Sequence, residues 1–198
     1  MSALLTAEAP GRDGPAEELA DLRARFASRA GRHGQPGLTL DLPSRLLDEE
    51  FGKGRVARFE DVDFPVTLTH EPTRRFLRET GLPEDGLLFQ LDTEVPLPTL
   101  AEYYAHEHPD GFPPAGLPAR ADHLIRLGRL AADSSLAVDG TTGKVWNWSE
   151  ADATPYPLDE DLSTLVFSLW LLHRTLGGRG GNRTRVARFA GLSMQVRA

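Results

Sequence analysis

A short glycine loop is the first candidate for chemistry in this sequence. Residues 137–148 read AVDGTTGKVWNW and contain Gly140, Gly143 and Lys144. A nucleotide-binding loop of the Gly-x-x-x-x-Gly-Lys-Ser/Thr type needs four residues between its glycines and a hydroxyl residue after the lysine. Here two residues separate the glycines, and Val145 follows the lysine. Glycines between two runs of strand-forming residues are typical of a hairpin, because glycine adopts positive φ without strain. The sequence therefore predicts a turn instead of a phosphate site.

A run of histidines is the second candidate. The stretch HEHPD holds His106, His108 and Asp110, and His123 follows downstream. Imidazole nitrogens are good zinc ligands, and alternate histidines on a strand can share one metal. The run begins the proline-rich stretch 106–119, which predicts a loop, so the preferred interpretation is loop histidines without a metal. A metal-dependent hydrolase built on His106 and His108 stays an alternative.

Closely spaced carboxylates are the third candidate, because glycosidases place two carboxylates on either side of the bond that they cleave. The pairs are Asp61/Asp63, Asp92/Glu94 and Glu150/Asp152. Such pairs are common in an acidic chain, so a solvated surface is the preferred interpretation. The chain has no cysteine for a thiol nucleophile, and no serine lies in the glycine pattern of a nucleophile elbow. We expect a protein that is not an enzyme and uses no metal or cofactor.

Two tryptophans could form a binding platform. Trp146 and Trp148 are two residues apart, so on a strand their side chains lie on the same face. Burial against the last predicted helix, which carries Phe167 and Trp170, is the preferred interpretation. An exposed aromatic platform for a partner is the alternative.

Charge is distributed unevenly along the 198 residues, and the net charge of the chain is −7 at pH 7. Residues 1–35 are neutral, whereas residues 36–176 carry 12 basic and 24 acidic side chains, a net of −12. Residues 177–198 carry five arginines and no acid. An acidic body repels phosphate backbones and attracts a basic partner, so we expect no direct binding to nucleic acid. An acidic surface that only maintains solubility is the alternative.

Hydrophobic periodicity and turn residues predict the elements that position these side chains. Helices are predicted at 15–29, 41–52, 70–83, 97–105 and 159–176, and strands at 54–65, 86–92, 123–130, 135–138 and 144–149. The stretch 70–83 has the clearest signal, with Pro72 in the first turn, Gly81 as a left-handed cap and Pro83 blocking continuation. The last three strands have the spacing of an antiparallel meander.

These elements predict one domain at residues 36–177. A flexible leader at 1–14 and a helix with its linker at 15–35 precede it, and a flexible Arg/Gly tail at 178–198 follows. The N-terminus lacks the basic start and apolar run of a signal peptide, and the most apolar stretch, 165–172, is too short to span a bilayer. We therefore expect a cytoplasmic protein.

Three segments, in this order, carry a family resemblance. They are TRRFLRETGLPEDGLLFQLD (73–92), HLIRLGRLAADSSLAVDGTTGKVWNW (123–148) and YPLDEDLSTLVFSLWLLHR (156–174). Over roughly residues 40–176 the chain resembles the SUKH superfamily of bacterial immunity proteins, most of all its fourth subgroup. The matching positions are Gly81, Leu82, Pro83, Leu127, Gly128, Asp139, Gly140, Gly143 and Val145. The chain departs from the pattern at Asp161-Leu-Ser163, where Asn-x-Ser is expected.

The resemblance implies a single α+β domain, with a mixed or antiparallel sheet of about five to six strands packed by helices and no catalytic residues. It also implies tight binding to a cognate polymorphic toxin, often a nuclease or nucleic-acid deaminase, inside the producing cell. Turn and cap roles are then expected at Gly81, Pro83, Gly128, Asp139, Gly140, Gly143 and Asp161.

The toxin is expected to be a basic protein, because enzymes that grip phosphates tend to be basic. Candidate toxin contacts are therefore the acidic clusters and the tryptophans: Glu60, Asp61, Asp63, Asp92, Glu94, Trp146, Trp148, Glu150 and Asp152. A non-enzymatic regulatory scaffold that binds a different cellular partner, as in eukaryotic relatives of the superfamily, is the alternative function.

Overall fold

The computed structural model describes residues 37–86, 88–92, 95–109, 111, 116–130, 134–151 and 153–177. Within these residues the chain forms one α+β domain around an antiparallel sheet of five strands, accompanied by a separate two-stranded pair. The pair consists of β1 (Val56–Ala57) and β2 (Leu82–Pro83). The main sheet follows chain order: β3 (Phe89–Leu91), β4 (Leu124–Leu130), β5 (Ser134–Asp139), β6 (Val145–Trp148) and β7 (Tyr156–Asp159).

Four α-helices occur in the described residues: α1 (Arg45–Phe51), α2 (Glu71–Glu79), α3 (Leu100–Glu107) and α4 (Leu162–Gly177). Short 3-10 helices lie at Asp61–Asp63 and Ala121–His123. Local sequence explains where α3 begins, because Thr99 Oγ1 accepts the Glu102 N–H and the Glu102 carboxylate accepts the Thr99 N–H. This reciprocal capping satisfies two donors that a helix start leaves unpaired.

The main hydrophobic core lies on one face of the sheet. Alternate residues of β4, β5 and β6 point into it, as the two-residue repeat of a strand requires. These strand residues are Ile125, Leu136, Val138 and Val145, and they form one cluster with Leu47 of α1, Phe76 and Leu77 of α2, and Leu165, Val166 and Phe167 of α4. Three helices therefore cover this face.

A smaller core lies on the opposite face. Leu100 and Tyr104, one turn apart on α3, pack against Ala137 of β5 and Trp148 of β6. Leu124 and Ala121 complete this cluster. The sheet is thus a middle layer, with α3 on one face and the other three helices on the opposite face.

Gly128 permits the close pairing of β4 with the edge strand β3. A Cβ atom at this position would lie 2.2 Å from the carbonyl oxygen of Gln90, which is a backbone atom. The register of β4 against β5 also shifts between Arg126 and Gly128. Bulges of this kind re-aim side chains. A side chain at Gly128 would therefore collide with the backbone of β3.

Most of the predicted elements are confirmed. The meander of β4, β5 and β6 and the helices near 41–52, 70–83, 97–105 and 159–176 are present, with narrower bounds. Gly81 has a φ of +79° after α2, as its predicted cap role requires. The predicted helix at 15–29 lies outside the described residues. No described helix is long and apolar enough to cross a membrane.

Two predictions of secondary structure are wrong. Of the predicted strand at 54–65, only Val56–Ala57 pairs, because the Asp63 carboxylate accepts the Glu60 N–H and turns the chain into a 3-10 helix. Strand β7 was missed, since its sequence YPLD is short and contains Pro157. Proline is tolerated there because β7 is an edge strand, where one side of the backbone needs no partner.

Candidate functional site

The glycine loop that resembles a phosphate-binding loop is a hairpin between β5 and β6. The Asp139 carboxylate accepts the N–H groups of Thr141 and Thr142 at 2.9 and 3.0 Å, so these donors already have a partner. Gly143 has a φ of +77°, and its N–H donates to the Asp139 carbonyl. A Cβ atom on Gly140 would lie 2.3 Å from the Thr67 carbonyl oxygen. The loop is packed against the preceding chain and has a structural role.

His70 packs directly on this hairpin. A Cβ atom on Gly143 would lie 2.4 Å from Nδ1 of His70, and the same nitrogen is hydrogen-bonded to Thr73 Oγ1 at 2.8 Å. Burial lowers the pKa of His70 below its ordinary value, and the negative charges of Asp161 and Asp139 oppose this effect. The folded protein therefore favours the neutral imidazole.

This environment predicts an acid-sensitive contribution to stability. A lowered pKa in the folded state means that the contribution of His70 is complete above its ordinary pKa of 6.5 and is lost as the pH falls through the lowered value. The test variant is His70→Asn, which retains a polar atom near Thr73. In urea unfolding, the free energy of unfolding should fall less between pH 7.5 and pH 5 in this variant than in the wild type. An identical loss in both proteins would contradict the assignment.

The histidines of the candidate metal site do not converge. His106 and His123 are exposed on α3 and on the 3-10 helix before β4, respectively. His108 stacks on Tyr104 and lies 3.3 Å from a carboxylate oxygen of Glu150. Among the described residues, no group of three or more His, Cys, Asp or Glu side chains could hold a metal ion. Asp110 lies outside those residues.

Asp161 joins the start of α4 to the segment before α1. Its carboxylate accepts the Thr39 N–H at 2.6 Å, the Ser163 N–H at 2.8 Å and the Thr164 N–H at 3.1 Å. Ser163 Oγ also donates to this carboxylate and accepts the Leu40 N–H. The side chain is buried, so these partners replace water. Asp161 thus accepts two N–H groups at the start of α4 and a third from the segment before α1.

The candidate contacts Glu60, Asp61 and Asp63 lie together on one loop. The Asp61 carboxylate receives hydrogen bonds from Arg74 at 2.9 Å and from Arg78 at 2.6 Å. These hydrogen bonds, from Arg74 first and then Arg78, hold the pKa of Asp61 below its ordinary value. Asp63 caps the loop through the Glu60 N–H, whereas the Glu60 side chain is exposed. Glu60 and Asp61 are therefore both exposed, but Asp61 is already engaged by two arginines, and Asp63 is half-buried.

Asp92 has a buried counterpart that the sequence did not indicate. Its carboxylate contacts the guanidinium of Arg126 on β4, which is 4% exposed. Arg126 also donates through Nε to Ser135 Oγ at 3.1 Å, and its guanidinium lies 3.7 Å from the centre of the Tyr103 ring. Burial, and secondarily the charge of Arg129, lowers the pKa of Arg126 to about 10, so it stays charged at neutral pH. Arg126 thus links β4 to Tyr103 of α3, and Asp92 supplies the adjacent negative charge.

The two tryptophans differ in what they can contact. Trp148 is completely buried beside Tyr104, with their ring centres 4.7 Å apart, so its side chain offers no surface to a toxin. Trp146 is half-buried, and the Lys144 ammonium lies 5.4 Å from its ring centre. The prediction that α4 covers the pair is wrong, because α3 covers it. Glu150 is exposed, and Glu94 and Asp152 lie outside the described residues.

The exposed apolar side chains were missed by the sequence analysis. Val62, Val66 and Val95 are 76%, 94% and 59% exposed, and Tyr156 and Leu158 of β7 are also exposed. The sequence does contain a sign of this exposure, because Val62 lies between two carboxylates and Val66 follows a proline. Valines in such polar turns seldom point into a core.

Comparison with known protein families establishes the family to which this chain belongs. A family model described as SUKH-4 immunity protein matches residues 42–195, which is more than half of the chain. The chain belongs to the SUKH-4 immunity protein family. No curated protein and no solved structure matches it. The SUKH-4 match includes all the described turn and cap residues, and it also extends through residues 178–195, which lie outside the described part.

Membership of the SUKH-4 family supports an immunity function, and such a function implies binding to a cognate toxin protein. SUKH immunity proteins are in general binders that do not catalyse reactions. The geometry agrees with a binding role in one respect: the loop that carries Glu60 presents exposed carboxylates and exposed valines together.

Proposed function

We propose that this SUKH-4 protein binds and neutralises a toxin that acts on nucleic acid, within the cytoplasm of the producing cell and without catalysis. The match to a family of immunity proteins over residues 42–195 is the observation that carries the proposal. Inhibition by binding requires only that the complex blocks access to the toxin's substrate or holds the toxin in an inactive form.

The charge of the body supports a nucleic-acid-acting toxin as the partner. Residues 36–176 carry a net charge of −12, and a toxin that grips phosphates is expected to be basic. Opposite charges accelerate encounter and favour coverage of a basic substrate channel. Glu60 and Glu150 are exposed carboxylates that can take part in such attraction.

A growth assay tests the function. A candidate toxin domain, chosen from a protein encoded next to this one, is expressed in a sensitive bacterium, alone or together with this protein. We expect protection by the wild type, and equal protection by the triple variant His106→Ala, His108→Ala, His123→Ala, because binding needs no metal-supported chemistry. Loss of protection by a correctly folded triple variant would favour a hydrolase, and absence of protection by the wild type would contradict the immunity proposal.

Charge attraction predicts a salt-dependent rate of association. Salt screens exposed charges over about 8 Å at physiological ionic strength, and charges at an interface rim act mainly on the rate of encounter. Stopped-flow measurements with the purified toxin domain should therefore show association slowing by about tenfold or more between low and high salt, with a smaller change in dissociation. Glu60→Lys should slow association further.

Glu49→Lys on α1 is the matched control, since it makes the same change of charge at another exposed position. A smaller effect of this variant than of Glu60→Lys is expected if the loop faces the toxin. An association rate that does not depend on salt would rule out steering by charge and would favour an apolar interface.

A further inference from the structure

Three exposed valines lie on two segments of the chain that a hydrogen bond joins. Val62 and Val66 belong to the loop 60–66, and Val95 precedes Leu97, whose N–H donates to the Asp63 carbonyl at 2.8 Å. This hydrogen bond places the segment 95–97 beside the loop. We name Val62, Val66 and Val95 the valine patch. Several exposed apolar side chains on neighbouring segments can mark a binding site.

The loop that carries the patch is firmly anchored. Phe59, Phe64 and Leu68 alternate with the exposed valines and are buried in the main core. The Phe59 N–H also donates to the Leu77 carbonyl at 3.2 Å, and the Thr69 N–H donates to the Gly140 carbonyl at 2.8 Å. The valines are therefore exposed by a fixed loop. A fixed binding surface loses little conformational entropy when a partner docks.

Charged side chains flank the valine patch. Glu60, Asp61 and Glu71 present exposed carboxylates next to the loop. Arg74 and Arg78 are half-buried and form ion pairs with Asp61, and Arg78 also pairs with Glu71. The guanidinium groups hold the carboxylates in place, and the carboxylate side chains are more exposed than the arginine side chains. An apolar centre with a charged rim is the usual arrangement of a protein–protein interface.

We infer that the valine patch is the surface on which the cognate toxin docks. The occupant is a basic protein face, with a small apolar contact for the valines and an Arg or Lys side chain for the exposed carboxylate of Glu60. Asp61 and Glu71 are already paired with Arg74 and Arg78, so they contribute less to the attraction. This inference rests on the proposed immunity function. The other exposed apolar pair, Tyr156 and Leu158, flanks Pro157 on the edge strand β7. Proline is typical of edges that are protected from pairing.

The test compares two apolar surfaces by the same chemical change. The patch variant is Val62→Thr, Val66→Thr, Val95→Thr, which keeps the branched shape and replaces a methyl with a hydroxyl. The matched control is Tyr156→Thr, Leu158→Thr on β7. Calorimetry of each purified full chain with the toxin domain that the wild type neutralises in the growth assay gives the dissociation constants. We expect at least tenfold weaker binding for the patch variant, and less than threefold change for the control.

A second variant tests the valine patch more severely, in case the threonine substitutions do not weaken toxin binding. Val66→Arg adds bulk and positive charge to the most exposed valine, and Leu158→Arg is its control. We expect Val66→Arg to weaken binding by at least about a hundredfold, because it opposes a basic partner by charge as well as by size. Circular dichroism and unfolding curves show that each variant is folded.

Four other results would overturn the inference that the toxin docks on the valine patch, and each can be told apart from the others. Wild-type binding that the patch variants retain would overturn the valine patch while leaving the immunity function intact. Loss of binding only in the β7 variants would move the site to that edge. Self-association of the wild type that the patch variants abolish would make a second copy of this chain the occupant. A wild type that does not bind the toxin domain would contradict both proposals.

Discussion

Asp161→Ala is expected to lower the free energy of unfolding by about 3 kcal/mol or more. The Asp161 carboxylate is buried and accepts the N–H groups of Thr39, Ser163 and Thr164. Alanine leaves these buried donors without an acceptor, and it also removes the cap of α4. Urea unfolding monitored by circular dichroism measures the loss.

Two variants calibrate this result. Glu160→Ala changes the exposed neighbour of Asp161 and should alter the free energy of unfolding by no more than about 0.5 kcal/mol. Asp161→Asn keeps one acceptor oxygen and should lie between the two alanine variants. An effect of Asp161→Ala as small as that of Glu160→Ala would show that the carboxylate does not join α4 to the segment before α1.

Asp92→Ala is the second substitution with a large expected effect, about 3 kcal/mol in the free energy of unfolding. It removes the carboxylate that contacts Arg126 and leaves a buried guanidinium without its counter-charge. Combining Asp92→Ala with Arg126→Met should recover at least half of the loss, because an apolar side chain of similar length needs no counter-charge in that position.

An exposed arginine on the same strand serves as the control for the Asp92–Arg126 pair. Arg129 lies on the same strand but is exposed, with Gln90 as its partner at 2.9 Å, so Arg129→Met should change stability by no more than about 0.5 kcal/mol. If the double variant loses as much stability as Asp92→Ala and Arg126→Met lose in sum when measured singly, the two side chains are not coupled. Loss of toxin binding by Asp92→Ala at temperatures where it is fully folded would instead make Asp92 a direct contact.

Local signals made much of the fold predictable. The stretch 70–83 contains its own start and stop in Pro72 and Gly81, and the hairpin at Asp139–Lys144 follows from its glycines. Strand β7 could not be predicted in this way, since its four residues include Pro157 and pair only because β6 is adjacent. The strand predicted at 54–65 was wrong because a capping carboxylate, Asp63, competes with strand pairing.

The candidate site was less predictable, because contacts distant in the sequence decide which acids are available. Asp61 is engaged by Arg74 and Arg78, and Asp92 by Arg126. Spacing along the chain does not reveal such partners. The same holds for Trp148: its shared face with Trp146 was predictable, but its burial under α3 depends on how that helix packs.

Titration of toxin activity with this protein tests the central claim most directly. The candidate toxin domain of the growth assay is assayed on DNA and RNA while the purified SUKH-4 protein is added in steps. If the protein neutralises the toxin by binding, activity should fall in proportion to the protein added and reach zero at a fixed molar ratio. Toxin activity that is unchanged in the presence of an excess of the folded protein would contradict the account.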